Sequence, residues 1–543
     1  MNSSFASSYK RQTYTEITKE SLNESILNHK LSLRKVKLEN KLMEKRTMSL
    51  SRESSHQINL NELNFPEEIA KDVNNYIRSK FDIKSIFSYL FSDDLLQVKR
   101  SIYLLRVYIV LQVSELEMEK RFLSRNDYDI VNKLCSFLIC PDLQLQYEAS
   151  WCLTNLCLFP EKIEQRMKTP NNLKFISQFV FSSENDLFIN ATFLLGNIAS
   201  KVEEKEYFIK QNVLEYILNK AVNGNFSGRD LLPMLRCVSN IFKIVQLKNE
   251  YRKYLISSIP NIIKIFSSLN TSDLKTQLDL YPYIVDILKN YLQPYNNQIY
   301  NSLLSTPFPK MLISQYLNQN DFSIRATLIE LMIVLLVGSE SHVQILLDEG
   351  LIDILKQCLD EFKLSNKALL KNVIFGLSNI ACGTEFQIQL LHKSLIFQDI
   401  LNIAKQMYEL ILKSPSLKEE KEILLECLYV LSYALNEASD QTIYDIFSYE
   451  NHIIVDLLFF GLKEYNEMKL ISCILIGIKK LIIMEENIMS DDSIKRMIKE
   501  KGIEDFLEKE LSGKRFNEEQ ENTAEIIIDA IKDEDIELPR NNK

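Results

Sequence analysis

The sequence predicts an all-α protein built from stacked helical repeats. Only 11 glycines and 12 prolines occur among its 543 residues, and both residue types are disfavoured inside helices but common in turns and loops. Hydrophobic residues make up 46% of the chain, which is typical of a protein with a large buried core. Apolar residues also recur at helical spacing in segments that short polar turns separate. We therefore expect long helices and few loops.

One short phrase recurs along the chain. It reads YEASWCLTNLC at 147–157, INATFLLGNIAS at 189–200, LPMLRCVSNIF at 232–242 and LKNVIFGLSNIACG at 370–383. Each copy places one residue four positions before an asparagine, and residues four apart share one face of a helix. The pairs are Trp151 with Asn155, Phe193 with Asn197, Arg236 with Asn240, and Phe375 with Asn379.

The spacing of these phrases predicts the repeat type. With weaker copies included, the first residues of the pairs, here called anchors, are Trp151, Phe193, Arg236, Tyr283, Glu330, Phe375 and Tyr429. Successive anchors are 42 to 54 residues apart, and armadillo or HEAT repeats have roughly 40–47 residues. The longest interval contains an insertion, LKSPSLKEEK, at 412–421. Because one repeat cannot bury its apolar face alone, we predict an armadillo-repeat, right-handed superhelical solenoid of about ten repeats over 66–535.

The composition argues against an enzyme and against a membrane protein. The five histidines are isolated, and the chain has no phosphate-binding glycine loop and no nucleophile-elbow motif. We therefore predict no catalytic residues, no metal site and no cofactor. The longest apolar runs are too short to cross a bilayer. Several of the nine cysteines lie in apolar helical patterns without a C-x-x-C pair, which predicts buried, reduced thiols.

Charge is concentrated in an N-terminal arm, which we place at 1–50, followed by a flexible linker at 51–65. Residues 30–46 carry a local net charge of +5, which leaves −14 for the rest of the chain. The basic residues are Lys30, Arg34, Lys35, Lys37, Lys41, Lys45 and Arg46. Such an arm binds an acidic partner, folds back onto its own acidic body, or is simply solvated. The acidic body argues against nucleic acid. We expect the last residues, 536–543, to be a disordered tail.

The recurring asparagine needs a physical reason, because a buried Asn in a helix is disfavoured by propensity and by desolvation. Two interpretations stay open at this point. The carboxamide offers a donor and an acceptor, so it can bind the backbone of an extended peptide. Neighbouring aromatic rings would then hold the stems of Lys or Arg side chains. Alternatively, each Asn bonds an inter-repeat backbone group.

The phrases resemble those of the importin alpha family, in which W-x-L-x-N-I-A recurs along a concave groove. The segment HKLSLRKVKLENKLMEKRTMS (29–49) resembles the importin-beta-binding segment of that family, and 502–531 resembles its last repeat. The resemblance implies an adaptor that shuttles between cytoplasm and nucleus. It would bind importin beta through the arm, basic nuclear-localisation signals in the groove, and an export receptor at the C-terminal repeats. It implies groove contacts from Trp151, Asn155, Phe193, Asn197, Asn240, Phe375, Asn379, Glu426 and Tyr429.

The sequence departs from the family at several of these positions. Trp151 is the only tryptophan, Arg236 stands where the family has Trp, and Lys201 replaces an acidic residue that pairs with a lysine of the signal. Glu330, Val334 and Tyr433 also differ from the family pattern. A cation in the groove would repel a basic peptide. The alternative is therefore an armadillo scaffold whose ligand is not basic.

Overall fold

The computed structural model describes residues 83–111, 129–157, 161–199, 205–224, 226–243, 252–292, 295–362, 366–489 and 493–532. Within these ranges the chain forms 27 α-helices and no β-strand. The predicted basic arm, the linker, the C-terminal tail and Lys201 lie outside the described residues. Of the described residues, 83–292 belong to one compact unit and 295–532 to another. We call them the N-terminal unit and the C-terminal unit.

The N-terminal unit contains twelve of these helices. They are α1 (Ile83–Leu90), α2 (Leu95–Leu111), α3 (Ile130–Phe137), α4 (Leu143–Leu156), α5 (Glu161–Met167), α6 (Pro170–Phe179), α7 (Asn185–Ala199), α8 (Lys205–Lys210), α9 (Val213–Asn223), α10 (Gly228–Phe242), α11 (Arg252–Leu269) and α12 (Leu274–Leu292). Helices α2, α4, α7, α10 and α12 pack each against the next. Each closes one repeat, and we call them third helices.

The C-terminal unit contains fifteen described helices, three in each repeat. They are α13 (Asn297–Leu304), α14 (Phe308–Leu317), α15 (Phe322–Leu335), α16 (Glu340–Asp348), α17 (Leu351–Phe362), α18 (Lys367–Ala381), α19 (Glu385–Lys393), α20 (Ile396–Lys413), α21 (Lys418–Glu437), α22 (Asp440–Phe447), α23 (Ile453–Glu464), α24 (Met468–Met484), α25 (Ser493–Glu500), α26 (Ile503–Ser512) and α27 (Glu518–Lys532). Its third helices, α15, α18, α21, α24 and α27, also pack consecutively.

All seven anchors lie on third helices, as the repeat spacing predicted. Several of these helices begin at an acidic or amide side chain that caps them. Asp142 accepts hydrogen bonds from Gln144 N and Leu145 N, both at 3.0 Å. Asp321 caps α15 in the same way, and Asn366 caps α18. Each such cap satisfies backbone N–H groups that have no partner within the helix.

The insertion at 412–421 extends two helices. Helix α20 continues to Lys413, and α21 begins at Lys418. They have 18 and 20 residues, whereas the corresponding helices of the preceding repeat, α17 and α18, have 12 and 15. The long interval before Tyr429 is therefore taken up as additional helical turns.

Three consecutive repeat boundaries of the C-terminal unit are each crossed by an ion pair. Lys356 Nζ lies 2.7 Å from Asp399 Oδ2, Lys405 Nζ 2.6 Å from Glu450 Oε2, and Lys501 Nζ 2.6 Å from Asp456 Oδ1. In each pair, the lysine and the carboxylate belong to two successive repeats. These pairs link one repeat to the next outside the apolar core.

The core consists mainly of aliphatic and aromatic side chains, together with cysteines. The six cysteines that lie in apolar helical patterns are buried free thiols, as predicted: Cys152, Cys157, Cys237, Cys382, Cys427 and Cys473. Burial raises the pKa of these thiols where a shift is resolved, as at Cys152 and Cys427. Among the described helices, none combines the length and the apolar character that a membrane crossing needs.

Candidate functional site

The N-terminal unit carries the better exposed group of predicted site residues. We call Trp151, Asn155, Phe193, Asn197, Arg236 and Asn240 the N-terminal ladder. They lie on the consecutive third helices α4, α7 and α10. Five of the six side chains are partly exposed, and only Asn197, with 5% exposure, is buried.

The asparagines of this ladder bond backbone carbonyl groups. Asn197 Nδ2 donates to Thr154 O at 3.1 Å, and Asn240 Nδ2 donates to Gly196 O at 2.9 Å. Both bonds join a third helix to the preceding one. Asn155 Nδ2 instead donates to Trp151 O of its own helix, at 2.8 Å. The interpretation that Asn bonds an inter-repeat backbone group therefore holds for Asn197 and Asn240.

These bonds also orient the amides for a ligand. A carbonyl oxygen can only accept, so the amide nitrogen must face it and Oδ1 must point elsewhere. The side chains of Asn155 and Asn240 are partly exposed, and each has a second N–H in addition to Oδ1. The structural role and the peptide-binding role are therefore compatible at these two positions.

Trp151 is accompanied by a buried ion pair that links α2 to α4. The guanidinium carbon of Arg106 lies 4.7 Å from the centroid of the Trp151 ring, a cation–π arrangement. Arg106 Nη1 lies 3.0 Å and 3.1 Å from the two carboxylate oxygens of Glu148. Burial raises the pKa of Glu148, and the charge of Arg106 opposes that shift. One side of the only tryptophan is thus occupied by a cation of the protein itself.

Sequence reasoning missed this pair, although a signal for it exists. Glu148 lies three residues before Trp151 within an apolar phrase, and it is only 3% exposed. A buried carboxylate requires a cation or a set of donors. That requirement predicts a partner without identifying it, because Arg106 is 42 residues away in the chain.

The predicted residues of the second site are buried, with the exception of Glu330, which is partly exposed. We call Glu330, Val334, Phe375, Asn379, Glu426, Tyr429 and Tyr433 the C-terminal ladder; they lie on α15, α18 and α21. Phe375, Asn379 and Tyr429 are each 3% exposed, and Tyr433 is 2% exposed. The structure therefore brings these residues onto consecutive third helices, while burying the aromatic rings that a basic peptide would need to reach.

Two tyrosines of the C-terminal ladder contact each other and a neighbouring glutamate. The Tyr429 and Tyr433 rings stack with centroids 5.8 Å apart and planes inclined by 28°. Tyr429 Oη donates to Glu467 Oε2 at 2.8 Å. Burial, reinforced by Glu467, raises the pKa of Tyr429 far above its usual range, with Glu426 contributing in the same direction. Asn379 Nδ2 donates to Phe375 O of its own helix at 3.2 Å.

Comparison with known proteins identifies the fold. No family model matches the chain, and no curated protein does. Among solved structures, an engineered protein from a structural genomics consortium matches with a TM-score of 0.64 and 16% identity, covering 83% of this chain and 99% of that one. A structure from work on the phosphorylation-controlled interaction of cadherin with beta-catenin matches with a TM-score of 0.60 and 12% identity, covering 82% and 80%. These likenesses show an all-α, armadillo-like solenoid, which confirms the predicted fold class.

In the part of the chain that the structure describes, no group of three or more His, Cys, Asp or Glu side chains is arranged to hold a metal ion.

Proposed function

We propose that this chain is an adaptor that binds an extended peptide of a partner protein along the N-terminal ladder. The observation that carries the proposal is the orientation of the Asn155 and Asn240 amides. Each side chain is partly exposed and donates one hydrogen bond from its amide N–H to a helix carbonyl oxygen, at 2.8 Å for Asn155 and 2.9 Å for Asn240. Preorganised amides lose little conformational entropy when they bind a ligand.

The dimensions of the ladder suit an extended peptide. Packed helices lie about 8–10 Å apart, and an extended chain advances about 3.3 Å per residue. One helix of the ladder therefore corresponds to about three residues of peptide. The backbone N–H and C=O groups of the peptide would meet amide groups at Asn155 and Asn240, and its side chains would lie against Trp151 and Phe193.

We further propose that the peptide is a basic nuclear-localisation signal and that residues 30–46 recruit importin beta. The support is the resemblance of the phrases and of the basic arm to the importin alpha family. Trp151 also holds the Arg106 guanidinium at 4.7 Å, so its environment already suits a cation. The same resemblance extends the proposal to an export receptor at the C-terminal repeats and to shuttling between cytoplasm and nucleus.

A fluorescence-anisotropy titration of the full-length protein with a labelled lysine-rich peptide tests the site. We expect the double variant Asn155→Ala/Asn240→Ala to bind about tenfold more weakly, because two hydrogen bonds of about 0.5–1.5 kcal/mol each are lost. Asn379→Ala is the matched control, since it removes the same side chain from the buried C-terminal ladder. Equal affinity for all three proteins would place the peptide elsewhere.

The arm is tested separately by capture on immobilised importin beta. We expect the full-length protein to be retained, and the charge-reversed variant Arg34→Glu/Lys35→Glu to be lost from the resin. Retention of both proteins, or of neither, would exclude importin beta as the ligand of this segment.

A second candidate function is a scaffold for a ligand that is not basic, and one observation favours it. Arg236 is a partly exposed cation on the N-terminal ladder, and it would repel a uniformly basic peptide. Tighter binding of a glutamate-rich peptide than of a lysine-rich peptide of equal length would support this candidate against the first.

A further inference from the structure

Arg236 occupies an anchor position on a rigid part of the N-terminal unit. Its side chain is partly exposed on α10. One turn later, Asn240 bonds Gly196 O of α7 at 2.9 Å. A Cβ atom added to Gly196 would lie only 3.3 Å from Cys237 Cα, so α7 and α10 touch backbone to backbone beside Arg236. The base of this side chain therefore has little freedom to move.

Two carboxylates on third helices of the N-terminal unit are engaged by other groups. Glu148 pairs with Arg106 at 3.0 Å. Asp286 of the next third helix lies 3.1 Å from Lys243 Nζ and also accepts from Ser239 Oγ.

Among the cations of these third helices that form no ion pair with a described residue, Arg236 is the one at an anchor position. Asp230, on the same helix as Arg236, accepts hydrogen bonds from the Ser227 N–H and hydroxyl at 3.1 and 2.7 Å. Lys99 is paired as well, with Asp142 at 2.5 Å. Arg236 has no ion pair with any residue that the structure describes.

We propose that Arg236 binds a carboxylate side chain of the bound peptide. A guanidinium presents five N–H donors in a planar fork, has no acceptor, and matches a carboxylate in a two-point contact. The inference rests on the proposed peptide-binding function and makes it more specific. Phe193 lies on α7, the third helix that precedes α10 and Arg236. The spacing of these two helices corresponds to about three peptide residues. The ligand is therefore a mixed-charge segment, with a basic residue at the Phe193 position and an acidic residue about three positions away.

The test is a set of labelled twelve-residue peptides that share one Lys-Lys pair and differ at a single position three residues from it. That position carries Glu, Gln, Lys or phosphoserine, and each peptide is made with the variable position on either side of the pair. Anisotropy titrations use the full-length protein, the variants Arg236→Gln and Arg236→Glu, and the control Lys264→Glu. Lys264 is an exposed lysine on α11, which is not a third helix.

In the natural protein we expect Glu to bind about fivefold or more tightly than Gln, and Lys more weakly than Gln, on one side of the pair. Arg236→Gln should abolish the preference, Arg236→Glu should reverse it in favour of Lys, and Lys264→Glu should retain it. Phosphoserine binding more tightly than Glu would identify the anion as a phosphate and overturn the carboxylate assignment.

The outcomes separate this inference from the proposed function. If every peptide binds but none is preferred, or if Lys is preferred, the role of Arg236 is refuted while peptide binding stands. If no peptide binds on either side of the pair, the proposed function fails and this inference fails with it.

Discussion

The two ladders start from similar phrases and end in different environments. In the N-terminal unit, Trp151 and Phe193 are partly exposed. Asn197 and Asn240 bond the preceding third helix, whereas Asn155 bonds its own helix. In the C-terminal unit, Phe375 is only 3% exposed, and Asn379 bonds its own helix. A phrase of five residues thus determines which helix face its side chains occupy, but not whether that face stays accessible.

The difference arises from what neighbouring positions contribute. On α21, the position that holds an asparagine in the N-terminal phrases is occupied by Tyr433, which stacks on Tyr429. The following repeat adds Glu467, which accepts the Tyr429 hydroxyl at 2.8 Å. Side chains that bind each other in this way are less available to a ligand, because a ligand must first replace those contacts.

The largest effect should come from truncating equivalent anchors. Phe375→Ala removes a ring that is 3% exposed and should lower the free energy of unfolding by about 3–5 kcal/mol. Phe193→Ala removes a partly exposed ring and should cost about 1 kcal/mol. Urea denaturation followed by circular dichroism measures both. Similar losses for the two variants would remove the distinction between a buried and an accessible ladder.

The next effect concerns ion pairs in the two units. Glu148→Ala leaves the buried Arg106 without its carboxylate and should cost about 3 kcal/mol. The control is Glu422→Ala, whose partner Lys371 lies 2.7 Å away but whose side chain is 39% exposed; it should cost less than about 1 kcal/mol. Thermal unfolding of the two variants in parallel measures both losses of stability. A control variant as unstable as Glu148→Ala would contradict the role given to burial.

A smaller effect should distinguish bonds between helices from bonds within one. Asn240→Ala breaks the bond to Gly196 O and should cost about 1 kcal/mol. Asn155→Ala breaks only a bond to the carbonyl of its own helix, which already accepts the helical N–H, and should cost less than about 0.5 kcal/mol. Hydrogen exchange should be faster in α7 and α10 for Asn240→Ala alone. Unchanged exchange there would show that this bond does not hold the two helices together.

The smallest effect should come from the boundary ion pairs of the C-terminal unit. Lys356→Gln removes the 2.7 Å pair with Asp399, whose partners are 35% and 27% exposed. We expect a loss below about 0.5 kcal/mol in physiological salt. That loss should vanish in about 1 M salt, where screening acts over roughly 3 Å. A loss that persists at high salt would mean that Lys356 contributes through packing.

Much of the fold follows from local patterns, and much of the site does not. Scarce glycine and proline, together with regular anchors, were sufficient to predict the third helices, because helical periodicity is a property of neighbouring residues. The partner of Glu148 was not predictable, since Arg106 is distant in sequence and only the packing of α2 on α4 brings them together. The same holds for the choice of Gly196 O by Asn240, 44 residues away. The lengthening of α20 and α21 was missed because an inserted polar segment can continue a helix as readily as interrupt it.

The ion pairs described above, at three of the four repeat boundaries of the C-terminal unit, have a mechanical consequence. Each bridges two adjacent repeats and leaves the apolar packing inside either one untouched. Because exposed pairs weaken as ionic strength rises, the bending stiffness of this part of the molecule should depend on salt while its helical content does not.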